Sequence, residues 1–401
     1  MSSKIVINNP AGDVSINGVT GSLPAPSSEG STLISSGSSW VTSNSSLTWR
    51  NRIINGDMRV AQRGTTAFTI NSFSQTYFID RWAAYGAASA GVYTIGSSTS
   101  SPSGFSNSIV ATCTTSIASV GTGDRYFFDQ RIEGSSMYDF SWGTSSAKSV
   151  TVSFWVNSSL TGTYCLSLIN ISGTRSYVSE FSILSSNTWE KKTITIPGCT
   201  DGVWPTDNTT GVIVRFSLAI GSSYRTTPNT WASGLLNSTS NQVNWMSSNT
   251  SRTFYVTGVQ LEAGSVATPY EMIPYDKQLQ LCQRYYARLS QQSSGTNQLA
   301  FGVGSSTVTG TVSLNGQSFI YIKYPQQMRA APTLTSPAST GCAILSVASL
   351  LAISSIGSAY YGSDSLGVFI NTALSTQTRG NSVLLVTNNN ATGYVELNAE
   401  L

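Results

Sequence analysis

Histidine is absent from all 401 residues. Its absence removes Ser-His-Asp and Cys-His catalysis, histidine-liganded zinc, and an imidazole switch near neutral pH. Charge is also scarce. Asp, Glu, Lys and Arg make up 10% of the chain, against about 25% in an average domain. The net charge is +3 and no basic run occurs, so the clustered Lys and Arg of a nucleic-acid footprint are missing. Arg50, Arg52, Arg59 and Arg63 come nearest to a cluster, and read as solvent-facing or paired with Asp57 and Asp80. The five cysteines stand at 113, 165, 199, 282 and 342. They are widely spaced and odd in number, without Cys-x-x-Cys, so neither a zinc site nor a disulfide framework is expected. They read as reduced, mostly buried thiols of a protein assembled in a reducing cytoplasm. No phosphate-binding glycine loop opens a helix, and no period of 20–50 residues repeats. The start, Met1-Ser-Ser-Lys-Ile-Val-Ile-Asn8, lacks the apolar core of a signal peptide, so none is expected. Residues 342–361 are uncharged but rich in serine. They read as buried β-structure rather than a membrane span, which wants ~20 predominantly apolar residues.

Ser, Thr, Asn and Gly fill the surface instead. Hydroxyl and amide side chains ladder well across strands, and they make surface contacts that do not weaken with salt. The length exceeds the ~250–300 residues at which a single core stops growing, so several domains are expected. In residues 1–49, Lys4-Ile-Val-Ile-Asn8 and Asp13-Val-Ser-Ile-Asn17 read as short strands. Leu23-Pro-Ala-Pro-Ser-Ser-Glu-Gly30 is a linker, and Ser31-Thr-Leu-Ile-Ser-Ser-Gly-Ser-Ser-Trp-Val41 a tight hairpin. This segment cannot bury a core alone and needs a partner, as an attachment peptide would. Residues 50–275 carry closely spaced strands parted by long polar loops, the pattern of a β-sandwich. Asp276-Lys-Gln-Leu-Gln-Leu-Cys-Gln-Arg-Tyr-Tyr-Ala-Arg-Leu289 is the one good helix. Asp276 is its cap, and Leu279, Cys282, Tyr286 and Leu289 form its apolar stripe. A polar linker follows to residue 297. Residues 298–401 form a second, sandwich-like β-domain, with strands at 301, 307–313, 318–323, 382–387 and 393–401. The fold class is therefore all-β, with a short N-terminal attachment segment and one helix at about 276–289.

Several passages are specific in wording. They are Arg50-Asn-Arg-Ile-Ile-Asn-Gly-Asp-Met-Arg59, Asp80-Arg-Trp82, Gln130-Arg-Ile-Glu-Gly134, Val150-Thr-Val-Ser-Phe-Trp-Val156 and Asn187-Thr-Trp-Glu-Lys-Lys-Thr-Ile-Thr-Ile-Pro197. The run Thr253-Phe-Tyr-Val-Thr-Gly-Val-Gln-Leu-Glu-Ala-Gly-Ser-Val-Ala-Thr-Pro-Tyr-Glu271 and then Cys282-Gln-Arg-Tyr-Tyr286 complete the set. Together they resemble a β-sandwich domain of tail fibre and virion-surface proteins of tailed bacteriophages, over residues 50–288. The final Ala-Glu-Leu401 resembles the last strand of many phage tail proteins. The resemblance implies a jelly roll like those of carbohydrate-binding modules, a virion location on the outer tail, and a homotrimeric tail fibre. Residues 1–49 would join other tail or neck proteins, and a host cell-surface glycan or receptor would be the ligand. Residues 298–401 would be a distal or oligomerising head, a competing place for recognition. A head fibre or decoration protein of capsid or neck is the alternative, and a tail-associated glycan hydrolase a second one.

For chemistry, paired carboxylates are the main catalytic option left without histidine. Asp124, Asp129, Glu133 and Asp139 lie close in sequence, but nothing marks them as facing each other, and no catalytic residue is expected. Asp201, Asp207 and Asn208 are oxygen donors in one loop. They read as Asx turns, with a structural Ca²⁺ as the other reading; no further cofactor is expected. Sugar rings stack on aromatic faces, and Trp204, Tyr224, Trp231 and Trp245 lie in polar loops where they serve as such a platform or plug the sandwich end. Trp82, Trp155 and Trp189 sit in or beside strands and are core candidates.

Overall fold

The computed structural model describes the backbone of residues 6–8, 13–16, 19–22, 32–35 and 40–43. It then describes residues 49–87, 91–247, 249–290, 300–306, 316–335, 342–346, 349–362, 364–372, 382–387 and 394–401. Its regular secondary structure is nearly all antiparallel β, as the composition indicates. Two compact units divide the chain. The first holds residues 1–59, 66–76 and 82–272, and the second holds 60–65, 77–81 and 273–401.

Short strands open the chain. Val6–Asn8, Asp13–Ile16 and Val19–Ser22 form one small sheet. Thr32–Ser35 and Trp40–Ser43 form the expected hairpin, with Ser35 opposite Trp40. The expected linker at 23–30 lies outside the described residues.

The first unit is a jelly-roll sandwich. One sheet runs Glu190–Ile196, Val150–Ser158, Thr253–Ala263, Ser108–Thr115, Val92–Ser98 and Phe68–Ile70. The other runs through Trp231–Ala232, Ser176–Ile183, Gly162–Ile169, Thr210–Ile220, Arg125–Glu133 and Trp82–Tyr85. Aromatic rings fill the space between them. Phe154 meets Phe216 at 5.0 Å and Phe181 at 5.1 Å between ring centroids, and Tyr164 meets Phe254 at 5.1 Å. Trp82 is fully buried, as expected, and donates its indole N–H to the Asn55 carbonyl at 3.1 Å. Trp155 and Trp189 are not core residues. Phe154 and Val156 take the inward positions of their strand, so the two-residue period puts Trp155 outside. Trp189 is half-buried against Tyr255.

The specific passages 50–59, 130–134 and 253–271 meet in this unit. The Asn51 side chain accepts from the Leu261 N–H and donates to the Val259 carbonyl, at 3.0 and 3.1 Å. Gln130 holds both the N–H and the carbonyl of Ile54 at 2.8 Å. Gly56 lies so close to the closing strand that a Cβ there would stand 2.2 Å from the Val259 oxygen. These polar side chains satisfy backbone groups that the irregular 50–59 segment would otherwise leave unpaired.

In the second unit, six strands close a barrel in the order Ala300–Ser306, Gly316–Lys323, Ser365–Thr372, Ser349–Tyr361, Cys342–Ser346 and Ser382–Thr387. A closed barrel thus stands where a second sandwich was expected, and closure leaves no free strand edge. Ile320, Ile322, Ile344, Val368 and Ile370 fill it. The expected strand at 307–313 lies outside the described residues, as does the linker from 291 to 297. The uncharged stretch supplies the barrel strands Cys342–Ser346 and Ser349–Tyr361, in agreement with the β reading. Among the described residues, no helix is long and apolar enough to cross a membrane.

The helix is shorter than the sequence pattern suggests, Tyr275–Gln283. Asp276 makes no capping bond and lies in the first turn, where it complements the helix dipole. Tyr286–Ser290 is instead a strand, paired with Tyr394–Asn398. The change of state places Tyr285 and Tyr286 in a buried clasp. Arg81 and Arg63 both pair with Glu400. The Arg81 guanidinium lies 3.5 Å above the Tyr285 ring, and Arg63 lies 3.6 Å above Tyr286. Arg329 donates to the carbonyls of Ala399 and Glu400 at 2.9 and 3.0 Å. Gln62 donates twice to Asp80, whose carboxyl burial pushes above the usual range. Three passages far apart in sequence, Asp80-Arg81, Tyr285-Tyr286 and Ala399-Glu400, are therefore one structural feature.

Removing the carboxylate would leave the buried Arg81 charge uncompensated. We expect Glu400→Ala to lower stability by about 3–5 kcal/mol, measured by denaturant unfolding, with Glu400→Gln losing less. A change under about 1 kcal/mol, the range of an exposed pair, would contradict the clasp.

All five cysteines are free and buried. Burial pushes the Cys165 and Cys199 thiols up to about 11, so few thiolates exist near neutral pH. Iodoacetamide should leave the folded chain unlabelled and add five labels once the chain is unfolded; rapid labelling of the native protein would overturn this reading.

Candidate functional site

Two loops meet at one end of the sandwich. The first, 134–148, follows the strand Arg125–Glu133 and contains two short 3₁₀ turns, Gly134–Ser136 and Tyr138–Phe140. The second, 197–209, precedes the strand Thr210–Ile220. Backbone bonds lace them together: Ser135 N–H to the Asp207 carbonyl and Gly143 N–H to the Cys199 carbonyl, both at 2.7 Å. Glycine is required at the closest approach, because a Cβ on Gly134 would lie 2.1 Å from the Pro205 oxygen.

The laced loops carry Trp142 and Trp204, which form a triangle with Trp231 of the edge strand Trp231–Ala232. Ring centroids are 4.7 Å apart for Trp142–Trp204, 5.4 Å for Trp142–Trp231 and 5.5 Å for Trp204–Trp231. All three pairs are edge-to-face, with interplanar angles of 74–78°. Such pairs contribute about 0.5–1.5 kcal/mol each beyond their buried area. Each indole N–H is also held by a carbonyl: Trp142 by Lys148, Trp204 by Asp201 and Trp231 by Pro197, at 2.8, 3.0 and 2.8 Å. Tyr177 packs on Trp231 at 5.3 Å. The rings are fixed in place from several sides.

Beside the triangle is an open depression of about 520 Å³. Trp142 and Trp204 line it with Tyr138, Ser141, Thr144 and Thr206. Trp142 and Trp204 are only 6% and 7% exposed, whereas Tyr138 is 68% exposed. Tyr138 is thus the free aromatic face, and the tryptophans are its rigid support. Hydroxyl groups supply the polar part of the lining. The neighbouring charge is turned away: Asp139 accepts from Arg52 at 2.7 Å, and the Arg52 guanidinium lies 5.4 Å from the Phe140 ring.

Of the aromatic residues singled out in sequence, Trp204 and Trp231 come together here. Tyr224 stands apart, half-buried under the Arg125 guanidinium at 4.4 Å. Trp245 cannot be a platform: it is 0% exposed and packs edge-on against Tyr93. It is a plug, because residues 239–247 fold back over the sandwich, with Trp245 N–H bonded to the Leu218 carbonyl. Tyr138 and Trp142 were missed. The run Met137-Tyr-Asp-Phe-Ser-Trp142 places three aromatics on alternate positions in a polar turn, a pattern that could have marked them.

The acidic loop residues are otherwise engaged. Arg175 grips both oxygens of Asp201, which holds the Asp201 carboxyl below its usual range. Asp207 accepts from the N–H and hydroxyl of Thr209, an Asx turn that lowers its carboxyl likewise. Asn208 is exposed beside it. Among the described residues, no three His, Cys, Asp or Glu side chains group as a metal site. The carboxylates considered for catalysis are each tied separately. Asp124 accepts from the Gly121 N–H, Asp129 from Arg215, Glu133 from the Ser135 hydroxyl and Asp139 from Arg52.

No family model matches the sequence, and no curated protein matches it. Among solved structures, the chain is similar to the enzymatically active domain of bacteriophage CBA120 tailspike protein 4. The identity is 14% over 53% of this chain and 21% of that one, with a TM-score of 0.29; the chain thus spans about a fifth of that domain's length. It is similar to TmCBM61 in complex with β-1,4-galactotriose, at 10% identity over 54% of this chain and 99% of the module, TM-score 0.26. It is also similar to the family 11 carbohydrate-binding module of the cellulase Lic26A-Cel5E of Clostridium thermocellum, at 15% identity over 50% and 96%, TM-score 0.23. Likenesses of this size carry no argument about function.

The division between support and free face is testable by stability. Trp142→Ala should cost about 3–5 kcal/mol, and Tyr138→Ala should leave the melting temperature within a degree or so, as expected of an exposed side chain. Equal destabilisation by both would show that Tyr138 is part of the packing.

Proposed function

We propose that this chain is a bacteriophage virion-surface protein, a tail fibre, that attaches to a host cell-surface glycan through the Tyr138 depression. The observation that carries the glycan reading is the exposed Tyr138 ring beside a hydroxyl-lined hollow, held by an immobile tryptophan triangle. A sugar ring offers one C–H face to an aromatic and equatorial hydroxyls to its surroundings, and this lining matches both. Preorganised rings also cost little entropy on binding. The virion reading is supported by the specific passages at 50–59, 80–82, 130–134, 253–271 and 282–286.

The activity we propose is binding without cleavage. Cleavage of a glycosidic bond wants two carboxyl groups facing each other across it, and the acids near this hollow are held by arginines or turns. We also propose that residues 6–43 pair with neighbouring chains in a homotrimer and seat it on tail or neck proteins. Strands of three or four residues in sheets of two or three are marginal alone. The helix stripe lends the trimer no support, because Cys282 and Tyr286 are already buried in their own unit.

Purified envelope glycan of the host tests the first claim. Tyr138→Ala should weaken binding about 5- to 10-fold, the loss of roughly 1–1.4 kcal/mol of stacking, with the fold intact. Unchanged affinity would sink the site. Wild-type protein incubated with the same glycan should release no reducing ends, and release would revive hydrolysis.

A further inference from the structure

The outer face of the barrel carries a second aromatic surface, unrelated to the tryptophan triangle. Register sets it out. Gly367 lies opposite Tyr321 on one neighbouring strand and Tyr360 on the other. Phe369 lies opposite Phe319 in the next outward row. The alternate residues Ile320, Ile322, Val368 and Ile370 point into the barrel and are buried. Outside, Tyr321 is 57% and Tyr360 62% exposed.

Glycine at 367 makes the surface possible. A Cβ there would stand 2.4 Å from Cζ of Phe319, so the Phe319 ring lies over the glycine and forms a floor. Tyr321 and Tyr360 meet that ring at 5.1 and 6.1 Å, and Phe369 meets it at 4.7 Å. All four rings stand on strands rather than loops, so their spacing is rigid. The two rows carry no charged side chain; the row on one side holds Asn371 donating to Ser355 at 2.8 Å, and the row on the other holds the exposed Lys323 opposite Ser365.

We propose that this face is a second glycan-binding platform, taking one or two neutral sugar units across Tyr321 and Tyr360. Its size decides against a protein partner. Three adjacent strands span about 10 Å, and two outward rows about 7 Å. With about 150–250 Å² per aromatic side chain, the exposed parts of Tyr321 and Tyr360 present on the order of 200 Å², still far below the ~800 Å² per partner of a stable protein interface. It matches a sugar ring or two. The two aromatic rows are themselves uncharged, which favours stacking on an uncharged sugar, with Lys323 at the border free to meet a ring hydroxyl. The site is independent of the Tyr138 hollow.

The test uses the full chain and affinity electrophoresis in gels containing dextran, galactan or hydroxyethylcellulose, with polygalacturonate as the anionic comparison. The Tyr138→Ala variant should still be retarded by at least one neutral polymer and not by polygalacturonate. Adding Tyr321→Ala and Tyr360→Ala should weaken that retardation about fivefold or more. The matching Tyr→Phe pair should keep most of it, because ring faces and not hydroxyls do the stacking. Near-UV circular dichroism confirms that each variant is folded. The proposal is overturned if Tyr138→Ala is retarded by no neutral polymer, or if the added alanines change nothing. It is also overturned if they change only the oligomeric state in sedimentation velocity. Separate loss by Tyr138→Ala and by the tyrosine pair keeps failure of one site distinct from failure of the other.

Discussion

A buried guanidinium is tolerated only where a carboxylate meets it, and this constraint organises the molecule. Removing a charge from water costs several kcal/mol unless a partner and hydrogen bonds compensate. In the sandwich, Arg215 pairs with Asp129 at 2.7 Å and stands 3.6 Å over the Phe127 ring. In the second unit, Arg81 pairs with Glu400 over Tyr285. Both arrangements join segments distant in sequence, and both hold the cation between a carboxylate and an aromatic face. A chain with 10% charged residues places several of them inside, at junctions where wrong pairing would strand a charge.

The consequence shows on the surface. Of an already small complement of charges, Arg81, Arg215, Asp80, Asp129 and Glu262 lie inside, so the exterior carries sparse charges among hydroxyls, amides and exposed rings. Such a surface keeps its contacts as salt varies. It also suits uncharged ligands with many hydroxyls. Among the described residues exposed large aromatics are few, and those on rigid supports stand out: Tyr138 beside the tryptophan triangle, and Tyr321 with Tyr360 on the barrel. Rigidity and exposure together, rather than aromatic content, distinguish these rings from Trp245.

Much of the fold was legible in the sequence because its cause is local. Alternation at 192–196 marked a strand, and Ser-Gly between short apolar runs marked the hairpin of Thr32–Ser35 and Trp40–Ser43. The helix end was not legible. Nothing local stops it at Gln283; the pairing of Tyr286–Ser290 with Tyr394–Asn398 does, across more than a hundred residues. Barrel closure is equally non-local, since six strands read alike in a sandwich or a barrel. At the candidate site, Trp204 and Trp231 were visible as loop aromatics. Trp245 looked the same in sequence, and only the fold-back of 239–247 separates a plug from a platform. Tyr138 was missed because its importance comes from the Trp142–Trp204 pair brought beside it by lacing two distant loops. Trp155 misled because both of its strand neighbours are also apolar.

The central claim is that Tyr138 presents a sugar-stacking face on a preformed support. A crystal structure of the full chain with an oligosaccharide cut from the host's envelope glycan tests it most directly. The account predicts a sugar ring stacked on Tyr138, its hydroxyls bonded to Ser141, Thr144 or Thr206, with Trp142 and Trp204 unmoved. An oligosaccharide bound elsewhere on the sandwich with the Tyr138 hollow empty would contradict it.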